Sequence, residues 1–351
     1  MTNVVLHGAR DLRLEELAPD DTPDDRVTVR FGAGGICGSD IHYYLHGRTG
    51  NFVVSEPLTL GHEIAGVVEH DRSGRLAGKR VAICPSVPCG RCPQCVAGQD
   101  NVCGAPFFMG SASRTPHMQG GFRSRLDVLP RQCHPLPDDV SLAAAALAEP
   151  LAVGVHAAGL AGDLAGRRAL IMGAGPIGLL LLAVVRTAGA GHVAVADLSP
   201  AALARARSAG ADDARLAARL ATEPDPPGDY DVVFEASGSP AGFAAALDRV
   251  RRGGHVVQLG NLPGGDVAAP LSLVMSKGLR VSGSFRFTLA EYARAVELIV
   301  SKTVDPLTVV TGRFALEDAV PAFEASLDRE RGAKILLVGA GEVDTGEGAG
   351  A

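Results

Sequence analysis

The run Gly173-Ala-Gly-Pro-Ile-Gly178 is the feature that most constrains the fold of this chain. A short apolar segment, Ala169–Met172, precedes it, and an Ala/Leu-rich segment typical of a helix follows it. A glycine-rich turn between a strand and a helix is typical of a parallel sheet with crossover helices. A glycine turn with no ligand is the alternative, which this strand–turn–helix context disfavours. The sequence therefore predicts an α/β region built around residue 173.

This turn also predicts a dinucleotide site, because glycines let the backbone approach a pyrophosphate at a helix N-terminus. Asp197 follows Gly178 by nineteen residues, at the end of the next predicted strand. Its carboxylate would accept hydrogen bonds from the adenosine ribose and would repel a 2′-phosphate, so NAD is predicted rather than NADP. The predicted cofactor residues are Gly173, Gly175, Pro176, Ile177, Gly178 and Asp197.

The periodicity of the chain divides it into four parts. Residues 1–148 alternate short strands with Gly, Pro and Asp turns, which indicates a β-rich unit. Residues 149–287 alternate strands and helices, with strands predicted at Ala169–Met172, His192–Asp197, Asp231–Glu235, His255–Leu259, Arg280–Gly283 and, for a short third strand, near 211–214. Residues 288–338 are predicted to form a helix and a final strand that return to the first unit. The Gly-rich tail, 339–351, is predicted to be disordered.

A first metal site is indicated between Cys37 and the His62-Glu63 pair. Thiolate, imidazole and carboxylate together suit Zn²⁺, whose catalytic sites keep three protein ligands and one open position. Ser39 and His42 lie between these residues and could pass a proton to solvent. A buried apolar cysteine and a merely hydrogen-bonded histidine are the alternatives for each residue alone.

A second metal site is indicated by four closely spaced cysteines, Cys89, Cys92, Cys95 and Cys103, in a loop rich in Pro and Gly. Four thiolates can close on one tetrahedral Zn²⁺ in a structural site. An iron–sulfur cluster or a redox dithiol would use similar spacing, but no electron-transfer motif surrounds this loop. The other two cysteines, Cys84 and Cys133, are predicted to be buried thiols.

Composition excludes several other classes. The net charge of −6 and the lack of any Lys/Arg block disfavour nucleic-acid and membrane binding. No apolar run is long enough to span a bilayer, and no signal segment opens the sequence. These features predict a soluble cytoplasmic protein, and in such a chain seven cysteines are better explained as metal ligands than as disulfides.

With these motifs in this order, the chain resembles the zinc-containing medium-chain dehydrogenases, and within them the polyol branch of sorbitol and L-idonate 5-dehydrogenases. The matching stretches are CGSDIHYY (37–44), GRTGNF (47–52), GHE (61–63), FFMGSASRTPHMQGGF (107–122), GAGPIG (173–178), EPLAVGVHA (149–157) and GSFRF (283–287). The resemblance implies a GroES-like catalytic domain, a Rossmann domain with a doubly wound parallel sheet, a cleft between them, and a homo-tetramer or homo-dimer. It also implies two zinc ions per chain, NAD, and a small polyhydroxylated substrate.

Residue by residue, the resemblance makes Cys37 and His62 ligands of the catalytic zinc. Both Glu63 and Glu149 are candidates for the third ligand, and Glu149 is favoured because it stands where alcohol dehydrogenases have a cysteine. Ser39 matches the hydroxyl that contacts the substrate alcohol, and His42 a possible proton relay.

Three further positions, Tyr43, Phe108 and Arg286, match residues that line the polyol pocket. A structural role is the alternative for Arg286, and also for Arg48, Arg114 and His117. The resulting hypothesis is NAD- and zinc-dependent oxidation of a secondary alcohol of a sugar acid or polyol. The alternatives are a cyclitol or sorbitol/xylitol dehydrogenase and a non-catalytic relative that binds zinc and NAD.

Overall fold

A computed structural model of the chain describes residues 1–16, 22–221, 230–328 and 333–339. These residues divide into two compact units. The first combines Met1–Glu149 with Val296–Ala351, and the second is Pro150–Ala295.

The elements are numbered along the chain. The first twelve strands are β1 (Thr2–Gly8), β2 (Asp11–Glu16), β3 (Val27–Gly35), β4 (Arg48–Thr49), β5 (Phe52–Val53), β6 (Leu58–Thr59), β7 (Glu63–His70), β8 (Arg80–Ile83), β9 (Ser86–Val87), β10 (Phe107–Phe108), β11 (Arg125–Val128) and β12 (Cys133–Pro135). The helices among and after them are α1 (Gly38–His46), α2 (Pro93–Val96), α3 (Leu142–Ala146) and α4 (Ala148–Ala161).

The remaining strands are β13 (Arg168–Met172), β14 (His192–Asp197), β15 (Asp213–Leu216), β16 (Tyr230–Glu235), β17 (Val250–Gln258), β18 (Arg280–Gly283), β19 (Val310–Ala315) and β20 (Lys334–Val338). The remaining helices are α5 (Pro176–Thr187), α6 (Pro200–Ser208), α7 (Pro240–Arg249), α8 (Ser272–Lys277), α9 (Leu289–Val300) and α10 (Ala319–Ala325). Short 3₁₀ helices lie at Asp100–Val102, Pro130–Gln132, Ala217–Ala221, Pro306–Val309 and Leu316–Asp318.

The first unit is built on a sheet in the order β12-β8-β7-β3-β20-β19, with β11 also paired to β3. Strand β3 presents Val27, Val29 and Phe31 to the core at alternate positions, as the two-residue period of a strand requires. Strand β20 pairs antiparallel with β3, so the last described strand of the chain lies beside residues 33–35. This pairing brings the C-terminal strand next to Cys37.

The second unit is a six-stranded parallel sheet in the order β15-β14-β13-β16-β17-β18. This is the doubly wound order, in which the strand sequence reverses beside the first strand. The predicted α/β fold class is confirmed. The strands predicted at 192–197 and 280–283 have the predicted bounds. Strand β17 begins five residues earlier than predicted, at Val250, and β15 lies at Asp213–Leu216 rather than near 211–214.

The segment after Cys37 forms helix α1, within the part of the chain that was predicted to alternate short strands and turns. The Asp40 carboxylate accepts a hydrogen bond from the Cys37 backbone N–H, at 3.0 Å, and so caps the first turn. Gly47 ends the helix with φ +63°, a conformation that glycine adopts without strain.

No helix in the described ranges is long and apolar enough to cross a membrane. The predicted disordered tail lies, from residue 340 onward, outside the described residues.

Candidate metal centres and cofactor turn

The thiol of Cys37, the imidazole of His62 and the carboxylate of Glu63 form one cluster in the first unit. One donor atom from each lies within 4.8 Å of the others. Cys37 stands at the N-terminus of α1, and Glu63 begins β7. His62 and Glu63 are buried. Gly61, just before the pair, has φ +93°, a conformation that favours glycine. The side chains of both neighbouring residues, His62 and Glu63, reach one site.

Asp40 organises this cluster and was not predicted from the sequence. It is fully buried, and its carboxylate accepts from the Cys37 and Gly61 backbone N–H groups. Its Oδ1 lies 3.8 Å from His62 Nδ1, which leaves Nε2 of that ring available to a metal. The signal that could have revealed it is an acid at the third position of a helix that begins after the metal-ligating cysteine.

The electrostatics of the cluster favour positive charge. Burial lowers the pKa of His62, but Asp40, Cys37 and Glu149 outweigh it, and the pKa lies well above its ordinary value. Burial raises the pKa of Asp40, against the opposing effect of His62. A divalent cation would satisfy the same acidic surroundings.

Glu149 lies in the first turn of α4 and is buried, but its carboxylate is not part of the donor cluster of Cys37, His62 and Glu63. Burial raises its pKa to about 7, although the nearby His62 opposes the shift. Both candidate glutamates therefore lie near His62. Only Glu63 has a carboxylate oxygen in the cluster with the Cys37 and His62 donor atoms.

Glu63 is hydrogen-bonded to a buried lysine, Lys334, which was not predicted from the sequence. Lys334 Nζ donates to Glu63 Oε1 at 2.6 Å and to the Ile36 carbonyl at 3.0 Å. The other carboxylate oxygen, Glu63 Oε2, is buried and has no hydrogen-bond partner among the described residues. The two residues are 271 positions apart in the sequence, so no local pattern could join them.

The donor set fits Zn²⁺. A soft thiolate, an imidazole and a carboxylate are the ligand types zinc takes in catalytic sites, and the orphaned Glu63 Oε2 is an acceptor that a cation would satisfy. The residues that would hold it are Cys37, His62 and Glu63.

The four-cysteine loop also fits zinc. Its four sulfurs lie within 4.8 Å of one another, and the Cys92–Cys103 and Cys89–Cys95 pairs are 3.9 and 4.0 Å apart. A tetrahedron with metal–sulfur arms of about 2.3 Å has edges of about 3.8 Å. Backbone N–H groups of Arg91 and Cys92 lower the pKa of Cys89 to about 6, which favours a thiolate.

The two remaining cysteines are buried, as expected. Burial raises the pKa of both Cys84 and Cys133 to about 12, so they are inert thiols.

Ser39 and His42 lie one helical turn apart on α1. Ser39 is half-buried and His42 is exposed. The ring of His46 lies 6.0 Å from that of His42, one further turn along. Along α1, a half-buried hydroxyl group is therefore followed by two exposed imidazole groups.

The predicted pocket residues have different surroundings. The Phe108 ring lies 5.7 Å from the His62 ring, beside the metal cluster. Tyr43 is buried and accepts a hydrogen bond from the Ala112 backbone at 3.0 Å. Arg286 lies in the second unit, with φ +54° and its guanidinium 4.9 Å from the Phe285 ring centroid.

His117 is a buried structural histidine. Its Nδ1 lies 2.8 Å from the Arg114 carbonyl, and its Nε2 accepts from the Ser55 backbone N–H at 3.0 Å. Both ring nitrogens are thus engaged within the protein.

The turn at Gly173–Gly178 in the second unit requires glycine at two of its positions. Gly173 has φ +103°, and a Cβ there would lie 2.9 Å from the Ser237 backbone nitrogen. A Cβ at Gly178 would overlap the Gly173 carbonyl, so helix and strand approach closely only with glycine. At Gly175 a Cβ would meet nothing within 4 Å, so this position has open space beside it. Pro176 is the first residue of α5.

Asp197 ends β14 and is tied to this turn. Its Oδ2 accepts from the Ala174 backbone N–H at 2.6 Å, and its Oδ1 accepts from the Ser199 N–H at 2.9 Å. Each oxygen retains a lone pair that can accept from a ribose hydroxyl. These residues fit a dinucleotide.

Comparison with known families places both units. Residues 23–138 match the alcohol dehydrogenase GroES-like domain, and residues 176–301 match the zinc-binding dehydrogenase family. The two matches include both metal clusters and Asp197.

Individual proteins match along nearly the whole chain. L-idonate 5-dehydrogenase (NAD(P)(+)) of Escherichia coli K12 is 38% identical over 323 residues, which cover 91% of this chain and 93% of that protein. Sorbitol dehydrogenase of Bacillus subtilis strain 168 is 35% identical over 338 residues, covering 93% and 94% respectively. The crystal structure of L-idonate 5-dehydrogenase from Escherichia coli K-12 MG1655 matches with a TM-score of 0.91 at 37% identity, over 96% of this chain and 97% of that one.

Proposed function

The chain belongs to the zinc-containing medium-chain dehydrogenases, in their polyol branch, and we propose that it oxidises a secondary alcohol of a sugar acid or polyol with NAD⁺. As a member it is an oxidoreductase that acts on a CH–OH group and uses zinc and a nicotinamide dinucleotide. The single observation that carries the substrate proposal is the Cys37–His62–Glu63 cluster, in which a carboxylate joins one thiolate. A harder donor set suits a substrate with neighbouring hydroxyls.

We assign the catalytic zinc to Cys37, His62 and Glu63, with Glu149 as a nearby second carboxylate. The assignment differs from the sequence-based preference for Glu149, because the Glu63 oxygen lies with the other two donors. When bound, zinc supplies Lewis-acid activation of the alcohol oxygen and NAD⁺ accepts the hydride. Cys89, Cys92, Cys95 and Cys103 hold the second, structural zinc.

The proton leaves along α1 in this proposal. Ser39 accepts the proton of the substrate hydroxyl and donates its own proton to His42. His42 lies one turn away on α1 and is exposed to solvent. An imidazole accepts protons near neutral pH, which a serine hydroxyl does not.

Substrate and cofactor are bound by separate groups. Tyr43 and Phe108 of the first unit shape the polyol pocket, and the position of Phe108 beside the His62 ring supports its inclusion. Gly173, Gly175, Pro176, Ile177 and Gly178 cradle the pyrophosphate, and Asp197 binds the adenosine ribose. The E. coli relative at 38% identity is named for both NAD and NADP, so the preference for NAD rests on Asp197.

The domain roles follow from these assignments. We infer that residues 1–148 form the catalytic domain and 149–287 the NAD-binding domain, and that the segment 288–338 returns to complete the catalytic domain from Val296 onward. The pairing of β20 with β3 supports the last assignment.

All seven cysteines are unpaired, which suits a reducing compartment, the cytoplasm.

A homo-oligomer is proposed as well, a dimer or tetramer. Strand β18 is one of the two edge strands of its sheet. Apolar side chains are exposed on it and on the preceding helix segment: Val281 (39%), Leu271 (64%) and Met275 (82%). An uncovered apolar sheet edge invites a second copy of the same strand.

A substrate screen tests the proposal. The purified protein, NAD⁺ and a panel of sugar acids, alditols and cyclitols are combined, and NADH absorbance is followed. A sugar acid or alditol should give the highest kcat/KM. Turnover confined to cyclitols, or to simple monohydric alcohols, would contradict the substrate class.

A further inference from the structure

We propose that Lys334 is a positioning residue for the catalytic metal: it holds one carboxylate oxygen of Glu63 and leaves the other for the zinc. This inference rests on the zinc assignment made above. It extends that assignment to a residue at the far end of the chain.

Lys334 is placed by the C-terminal strand. It is the first residue of β20 and is 3% exposed. Its ammonium group bridges Glu63 Oε1 and the carbonyl of Ile36, the residue before the ligand Cys37. The Ile36 N–H in turn donates to the Ile335 carbonyl at 3.0 Å. One lysine therefore contacts the segments that carry two of the three proposed ligands.

The two oxygens of Glu63 are in different environments. Oε1 accepts the lysine proton, whereas Oε2 is buried without a hydrogen-bond partner among the described residues. The carboxylate lies over Gly35, where a Cβ would overlap Oε2. A buried acceptor without a hydrogen-bond partner lowers the stability of the folded state, so Oε2 is the oxygen that a bound cation would satisfy.

Stability alone is a weak reason for such a pair. A buried ion pair must overcome the desolvation of both charges, and well-packed apolar residues often replace it without loss of stability. An ammonium group that also orients a metal ligand has a specific use, since groups that bond to metal ligands fix their geometry and tune affinity.

Zinc affinity measured by competition with a chromophoric chelator tests the proposal. Lys334→Met should raise the dissociation constant of the zinc at Cys37, His62 and Glu63 by about 10- to 100-fold, the usual effect of removing a partner of a metal ligand. The zinc in the four-cysteine loop serves as an internal reference and should be unchanged. Lys302→Met is the matched control, since this lysine is 71% exposed and pairs with Asp139 in the same unit.

Two further variants separate positioning from a structural role. Lys334→Arg keeps the charge, but its planar fork can bond both carboxylate oxygens, so it should also weaken zinc binding. This variant carries the test if Lys334→Met does not fold. In a Glu63→Gln background, Lys334→Met should cause no further loss, because the lysine acts through Glu63.

The outcomes are distinct. Wild-type zinc affinity in Lys334→Arg, or losses that add independently in the double variant, would overturn the positioning role. If the wild-type protein bound zinc only in the four-cysteine loop, the proposed function would fail instead.

Discussion

At the scale of single residues, the proposed preference for NAD rests on one carboxylate. Asp197 both closes the glycine turn, through the Ala174 N–H, and stands at the end of β14, where a ribose would lie. The role proposed for Asp197 rests on its spacing after Gly178, which the sequence alone displays. The roles of Asp40 and Lys334 could not, since they depend on contacts that only the folded chain brings about.

Asp197→Ala should weaken NADH binding by about 1–2 kcal/mol, roughly tenfold, because hydrogen bonds to a charged acceptor are lost. NADPH binding should weaken less or improve, since charge repulsion is also removed. Quenching of protein fluorescence or nucleotide fluorescence enhancement measures both dissociation constants. Leu198→Ala, at an exposed neighbouring side chain, should leave both unchanged. Equal loss for the two nucleotides would contradict the discriminating role.

His42→Gln should lower the oxidation rate at neutral pH and recover partly as pH or buffer-base concentration rises, because free bases replace the imidazole. Ser39→Ala should lower the oxidation rate more, by roughly 10²-fold or above, and added buffer base should not restore the rate. Steady-state kcat across pH and buffer concentration measures this. An unchanged rate and pH profile in His42→Gln would mean that protons leave through water alone.

At the scale of elements, the predicted strands of the parallel sheet follow from continuous apolar runs that end at glycine turns. Helix α1 was not among the elements predicted from the sequence; Asp40 at its start and Gly47 at its end define its bounds. The mutual position of Glu63 and Glu149 was likewise not predictable. Glu149 matched a family position in the sequence, but which carboxylate oxygen lies with Cys37 and His62 depends on the folded chain.

The glycine turn gives an element-scale prediction. Gly175→Ala should keep the melting temperature within about 2 °C, since the Cβ has open space, yet weaken NADH binding at least tenfold. Gly178→Ala should lower both the melting temperature and the affinity for NADH, because its Cβ would overlap the Gly173 carbonyl. Thermal unfolding and NADH titration measure the two effects. Gly159→Ala, on helix α4, is the control and should change neither. Wild-type NADH affinity in Gly175→Ala would contradict the role of this turn.

At the scale of the whole molecule, the order of motifs along the chain predicted the two kinds of domain and both metal clusters. The resemblance predicted a homo-oligomer but not which surface would form its interface, because the place of β18 at a sheet edge emerges only once the sheet order is known.

Val281→Lys should shift the protein to a smaller species, since a charge on an edge strand opposes pairing with a second copy. Light scattering coupled to size exclusion measures the mass. Leu198→Lys, at a side chain 81% exposed elsewhere on the same unit, should keep the wild-type mass. A monomeric wild-type protein, or an unchanged mass in Val281→Lys, would contradict an interface at β18.

The central claim, that the Cys37–His62–Glu63 cluster holds a zinc required for NAD-dependent oxidation, is tested most directly by stepwise metal removal. Zinc per chain and NADH formation from the best substrate of the screen are followed together during dialysis against a chelator. The account predicts two zinc ions per chain at the start. Activity should fall to zero as the first leaves while circular dichroism stays unchanged, and added Zn²⁺ should restore it. Full activity with one zinc per chain, or iron in the four-cysteine loop, would contradict the account.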